Sequence, residues 1–152
     1  YMTTYVFMGA AAFGVIMTMR REGTPVEKIS DLAGLSASHP LLAAAMMVVM
    51  FSMAGIPPLA GFFGKWYVFL AAVNAGLIPL AVIGVLTSVI GAFYYLRIIR
   101  LMYFEDSDAP LDDGASHQNR MILIISVGFI LFFFFGIGTL SQEAVSIVSV
   151  YF

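Results

Sequence analysis

The chain has 152 residues, 61% of them hydrophobic and 11% charged, and a mean hydropathy of +0.98. A water-soluble domain is nearer about 45–50% apolar and about 25% charged, so lipid is the solvent to consider. Seven Lys and Arg against nine Asp and Glu give a net charge of −2, which leaves no basic field for nucleic acid, and the lack of Cys excludes disulfides, thiolate metal sites and a cysteine nucleophile.

The first segment, 1–19, carries no charge. It has no basic leader region and no small-residue cleavage site, so it does not read as a signal peptide. Tyr1 is not an initiator Met, and the sequence reads as a piece whose upstream part is missing. Three further apolar segments follow at about 40–73, 77–103 and 121–140. About 20 apolar residues in a helix cross a bilayer. Barrel strands would alternate in polarity over about 10 residues, and Ile130-Leu131-Phe132-Phe133 does not. The expected class is therefore all-α and polytopic, with four transmembrane helices.

Between the first two segments, Thr24-Pro25-Val26-Glu27 has the form of a capping box, with Thr24 as N-cap and Pro25 at the first helical position. It predicts a short amphipathic helix over about 25–34, with Val26, Ile29 and Leu32 on one face and Gly34 ending it.

Segment 40–73 is too long for one span and contains Gly55-Ile56-Pro57-Pro58 near its middle. Proline removes a backbone donor and pushes the preceding residue out of the helical region. The segment is thus either two spans with a tight turn or one span made of two half-helices. Charge placement favours the second. Apart from Lys65, the basic residues are Arg20, Arg21 and Lys28 in the first loop and Arg97, Arg100 and Arg120 around the last one. One discontinuous crossing puts all six on the same side, as the positive-inside rule prefers. Loops 20–39 and 104–120 are then cytoplasmic.

Lys65 is the single charge in segment 40–73. A lysine at the bilayer centre costs about 2.5–3.5 kcal/mol on insertion scales, and such groups commonly face a cavity on an ion or proton path. Broken backbone at membrane depth also persists only where protein or water satisfies it, and such breaks mark binding sites in transporters. The other reading is a lysine snorkelling to the headgroups, with Trp66 and Tyr67 in an interfacial belt. Thr87, Ser88, Tyr94 and Tyr95 are candidates for lining a water path, since a hydroxyl both donates and accepts; ordinary interhelical hydrogen bonding is the alternative for each. Small residues recur four apart at Ala10 and Gly14 and at Gly84, Ser88 and Ala92, a spacing that lets membrane helices approach closely.

The region 104–119 holds Glu105, Asp106, Asp108, Asp112 and Asp113 with Pro110 and Gly114, and reads as a solvated acidic loop without calcium-loop spacing. His39, before Pro40, could hand protons inward but reads as an interfacial, solvated histidine; His117, in the acidic loop, is assigned no role, and Glu143 reads as a surface group on the far side. No nucleotide fingerprint, metal-binding cluster or paired haem histidine is present.

The stretch from Ser52 to Lys65, with Gly55-Ile56-Pro57-Pro58-Leu59-Ala60-Gly61-Phe62-Phe63-Gly64-Lys65, resembles the antiporter-like membrane subunits of respiratory complex I and the related Mrp-type cation/proton antiporters. Thr4 to Met8, Ala12 to Ile16, Ile29 to Leu35 and Gly91-Ala92-Phe93-Tyr94-Tyr95-Leu96-Arg97 extend the resemblance over essentially the whole chain. The last of these stretches favours the subunit N branch. The resemblance implies a bundle of about fourteen helices with inverted repeats, of which these are the last four. It implies a proton-translocating subunit of an NADH:quinone oxidoreductase in the bacterial inner membrane. Lys65 would hold the proton-carrying position on the broken helix. No cofactor is expected on this chain; NADH, FMN, iron–sulfur clusters and quinone would be bound by other subunits. Its expected partners are membrane-arm subunits, including a neighbouring antiporter-like subunit, together with the lipid bilayer and protons. The alternatives are an Mrp-type antiporter subunit, revealed by sodium-dependent pH gradients without NADH, and a structural subunit in which Lys65 only snorkels.

Overall fold

The computed structural model describes residues 2–21, 23–26, 28–106, 112, 120–133 and 135–136. The described chain is mostly helical: α1 (Met2–Thr18), α2 (Leu35–Ser38), α3 (Pro40–Ala54), α4 (Ala60–Asn74), α5 (Ile78–Phe104) and α6 (Arg120–Phe133). Among the described residues, α5 is the one helix long and apolar enough by itself to cross a membrane, and α1, α3 and α6 are shorter apolar helices. His117 and Glu143 lie outside the described residues, as do Asp108, Pro110, Asp113 and Gly114 of the acidic loop.

α1 ends when the Thr18 hydroxyl turns back to the Val15 carbonyl at 2.6 Å and the Met19 amide to the Ile16 carbonyl at 3.1 Å. The expected helix at 25–34 does not form. Thr24–Pro25 (β2) instead pairs antiparallel with Arg20–Arg21 (β1), and a 3-10 turn follows at Ile29–Leu32. Thr24 is held in that strand pair, its hydroxyl donating to the Arg21 carbonyl (2.7 Å), so no helix starts there for it to cap; the later 3-10 turn begins at Lys28, whose amide Asp31 accepts. Of the predicted apolar face, Leu32 is buried and Val26 packs on the core, but Ile29 is exposed. Gly34, at φ 65°, makes the left-handed turn into α2 that a residue with a Cβ would resist.

Met8, Ala11 and Val15 of α1, Ala43, Met46, Val49 and Met50 of α3 and Ile99 and Met102 of α5 form the core. Methionine recurs in it, since an unbranched thioether fills irregular gaps between crossing helices. α6 runs antiparallel to α1: Phe7 stacks on Phe129 with ring centroids 4.0 Å apart, and Gly14 lies against Leu123. Gly84 of α5 faces the Phe69 ring of α4 so closely that an added Cβ would come within 2.7 Å of it. At the loop end, the Gly34 amide reaches the Leu101 carbonyl (3.3 Å), while the Asp112 amide donates to the Arg20 carbonyl (2.8 Å) and its carboxylate accepts from the Gly23 amide (2.8 Å). These bonds bring the 20–39 loop and the end of α5 together.

Candidate functional site

The site is built on the interruption between α3 and α4. An α-helix leaves its last four carbonyls without intrahelical donors. For α3 these are Phe51, Ser52, Met53 and Ala54. Gly55 takes φ 88°, and its amide reaches the Phe51 and Ser52 carbonyls while the Ile56 amide reaches Phe51. This is a Schellman closure. It satisfies two carbonyls. In a continued helix the other two would accept from residues 57 and 58, but both are proline and carry no N–H. The peptide between Pro57 and Pro58 is cis.

Lys65 fills that gap. Its Nζ donates to the Met53 carbonyl at 2.9 Å and to the Ala54 carbonyl at 3.2 Å. A cation is also favoured there by the negative end of the helix dipole. The side chain lies along Gly55: a Cβ at that position would meet Lys65 Cδ at 3.2 Å. An ammonium has three donors, and among the described residues no protein acceptor takes the third.

The amine opens on a cavity of about 200 Å³ where α1, α3, α4 and α5 converge. At roughly 30 Å³ per water it can hold several waters. Its polar lining is Thr4 and Tyr5 of α1, Ser52 of α3, Lys65 of α4 and Thr87, Ser88 and Tyr95 of α5. Gly61, Gly64 and Gly91 line the rest together with Met8 and Met53. Lys65, Thr87, Ser88 and Tyr95, which lie up to 30 positions apart in the sequence, thus share one wall-to-wall space. The Thr87 hydroxyl shares its one proton between the Ile83 and Gly84 carbonyls, both at 3.0 Å. Tyr94 does not join them. It is 58% exposed on the outer face of α5, edge-on to Phe93, because adjacent helix residues point about 100° apart.

Trp66 and Tyr67 are exposed on the outside of α4, whereas the Lys65 amine turns inward to α3. Among the described residues no group of three metal-ligating side chains occurs. Three polar cavity residues escaped the sequence reading: Thr4, Tyr5 and Ser52. The signal for Ser52 was its position as the one hydroxyl in the otherwise apolar α3. Thr4 and Tyr5 are polar groups near the start of an apolar helix, and nothing in their spacing separates them from interfacial residues.

A family model described as NADH:quinone oxidoreductase/Mrp antiporter, TM, matches residues 1–91. The chain belongs to this transmembrane family. The matched stretch contains every cavity residue of this antiporter-family chain except Tyr95. NADH-quinone oxidoreductase subunit N of Rhodospirillum rubrum is 59% identical over 134 residues, covering 88% of this chain and 28% of that protein. Subunit N of Parvibaculum lavamentivorans is 56% identical over 134 residues, again 88% of this chain and 28% of the relative. A solved structure, respiratory complex I from Thermus thermophilus with bound aureothin, contains a chain that superposes with a TM-score of 0.75 at 31% identity, covering 89% of this chain and 31% of that one. The chain therefore spans less than a third of the length of these relatives.

Proposed function

We propose that the chain is part of a subunit N-type membrane subunit of an NADH:quinone oxidoreductase, and that Lys65 carries protons across the membrane in step with quinone reduction performed elsewhere in the complex. The observation that carries this reading is the Lys65 amine, held at a helix break and facing a hydroxyl-lined cavity large enough for water. The family includes both quinone-coupled subunits and antiporters; the high identity to subunit N proteins favours the former.

The reading includes four crossings, with α3 and α4 forming one. Two distances support it. α4 leads directly into α5 at Asn74–Ile78, and Leu101 of α5 contacts Gly34 beside the start of α3. From Ile78 to Leu101 is about 35 Å of helix. If α4 folded back along α3, Asn74 would return to the start of α3, and α5 could not have both ends there. Running on in one direction, two helices of 15 residues span the needed length.

In the proposed cycle a neighbouring charge change, passed along the membrane arm, alters the proton affinity of Lys65. The ammonium gives a proton to cavity water and later regains one from another side, with Thr87, Ser88 and Tyr95 along the path. Moving a proton against 100 mV requires about 2.3 kcal/mol, a factor of about fifty in proton affinity. The third reading, a lysine that only snorkels, is disfavoured by the inward course of its side chain. The test is Lys65→Met in the full-length subunit within its complex, with assembly checked by native gel. NADH-driven quinone reduction and proton uptake are followed in the same inside-out vesicles. Turnover or pumping should fall severalfold; wild-type values for both would remove Lys65 from the relay. Cation-dependent pH gradients without NADH would instead identify an antiporter.

A further inference from the structure

We infer that Ser52 is a positioning residue for Lys65, because the two half-helices cap each other across the break. Resting on the proton-carrying role proposed for Lys65, the inference adds a second residue that controls it. The first half of the exchange is the Lys65 amine of α4 on the terminal carbonyls of α3. The second half runs the other way. The residue at the N-cap position of α4 is Leu59, whose side chain makes no capping bond. The first amides of a helix have no acceptor within it and are commonly met by a side-chain oxygen. Ser52 of α3 supplies one from outside: its Oγ accepts the Gly61 amide at 3.0 Å. The hydroxyl proton is directed to Met8 Sδ on α1, 3.1 Å away, so both functions of the group are used.

Ser52 is fully buried, and Gly61 is the residue that lets it reach. An added Cβ at Gly61 would fall inside the contact distance of the Ser52 carbonyl. The close approach therefore requires glycine, and it sets the rotation and height of α4 one turn before Lys65. Lys65 follows Gly61 by four residues, on the same helix face. A shift of α4 at Gly61 is thus carried directly to the amine. Ser52 holds Lys65 within reach of the Met53 and Ala54 carbonyls without touching the proton path's reacting nitrogen.

Ser52→Ala removes the acceptor with little change in volume, and Ser52→Thr keeps it. Both are made in the full complex, alone and combined with Lys65→Met, and NADH-driven proton uptake is measured after assembly is checked by native gel. Ser52→Ala should lower uptake about threefold to tenfold, the equilibrium factor of one lost buried hydrogen bond, and Ser52→Thr should restore most of it. In the Lys65→Met background, Ser52→Ala should lower the residual rate no further, since it acts through the missing amine. An equal fold-loss in both backgrounds would reduce Ser52 to packing and overturn the inference, as would a wild-type rate for Ser52→Ala alone. If Ser52→Ala does not assemble, Ser52→Cys, a near-isosteric and weak acceptor, is read in the same two backgrounds by the same criteria. A wild-type rate for Lys65→Met by itself overturns the role of the lysine, and that result is visible without any serine variant.

Discussion

At the scale of single residues, the Lys65 amine has two separable duties. As a donor it satisfies the Met53 and Ala54 carbonyls; as a proton carrier it must also be able to lose its charge. Arginine separates them. A guanidinium keeps several donors but does not deprotonate in proteins. Lys65→Arg should therefore assemble more stably than Lys65→Met, yet pump no better. Native gels and vesicle proton uptake check the two halves, and near wild-type pumping by the arginine variant would refute the proton-carrying role. Gly55 is a second such position. At φ 88°, with Lys65 against its Cα, it accommodates a side chain poorly. Gly55→Ala should cost about 1–2 kcal/mol in the left-handed region, read as a lower melting temperature of the purified complex.

At the scale of elements, the contacts between helices rest on glycines whose partners differ in how far they can yield. Gly61 faces the Ser52 backbone carbonyl, which cannot move without shifting α3. Gly84 faces the edge of the Phe69 ring, which can rotate away. Gly61→Ala should thus destabilise by about 3 kcal/mol or more and block assembly, while Gly84→Ala should cost about 1 kcal/mol and leave an assembled, slightly less heat-stable complex. Thermal inactivation of the two variants side by side tests the order; a milder Gly61 variant would mean that α4 is not seated on α3 as described. The loop helix predicted over 25–34 shows the limit of local motifs. Thr24 and Pro25 fit a helix start, but Arg20 and Arg21 lie close enough for a hairpin, and a paired strand uses the same hydroxyl differently.

At the scale of the whole molecule, the proposed four-crossing arrangement places the 20–39 loop and the end of α5 on one side and the Asn74–Leu77 turn on the other. The chain contains no Cys, so single cysteines report cleanly within it. Arg20→Cys and Asp106→Cys, both at exposed positions, should react with an impermeant maleimide from the cytoplasmic side alone. Ala75→Cys, exposed in the turn after α4, should react only from the opposite side. Labelling of Arg20→Cys and Ala75→Cys from the same side, with Asp106→Cys reacting only from the other, would mean that α3 and α4 are two crossings.

Much of this was legible from the residues alone. A long apolar run with two adjacent prolines must break, since no arrangement of that backbone supplies the missing N–H groups. A lone lysine seven residues later reads as either a functional charge or one that snorkels to the headgroups, and the chemistry of an amine on a long stem allows both. Membrane character and helical class followed from the same accounting, because backbone groups in lipid have no other partners. What the chain order could not determine was which groups meet. The choice of Met53 and Ala54 as acceptors, the exclusion of Tyr94 beside an included Tyr95, and the recruitment of Thr4, Tyr5 and Ser52 depend on how α1, α3, α4 and α5 are rotated about one another. That rotation is decided by close packing at Gly61, Gly84 and the methionine core, a many-body fit that no local spacing encodes.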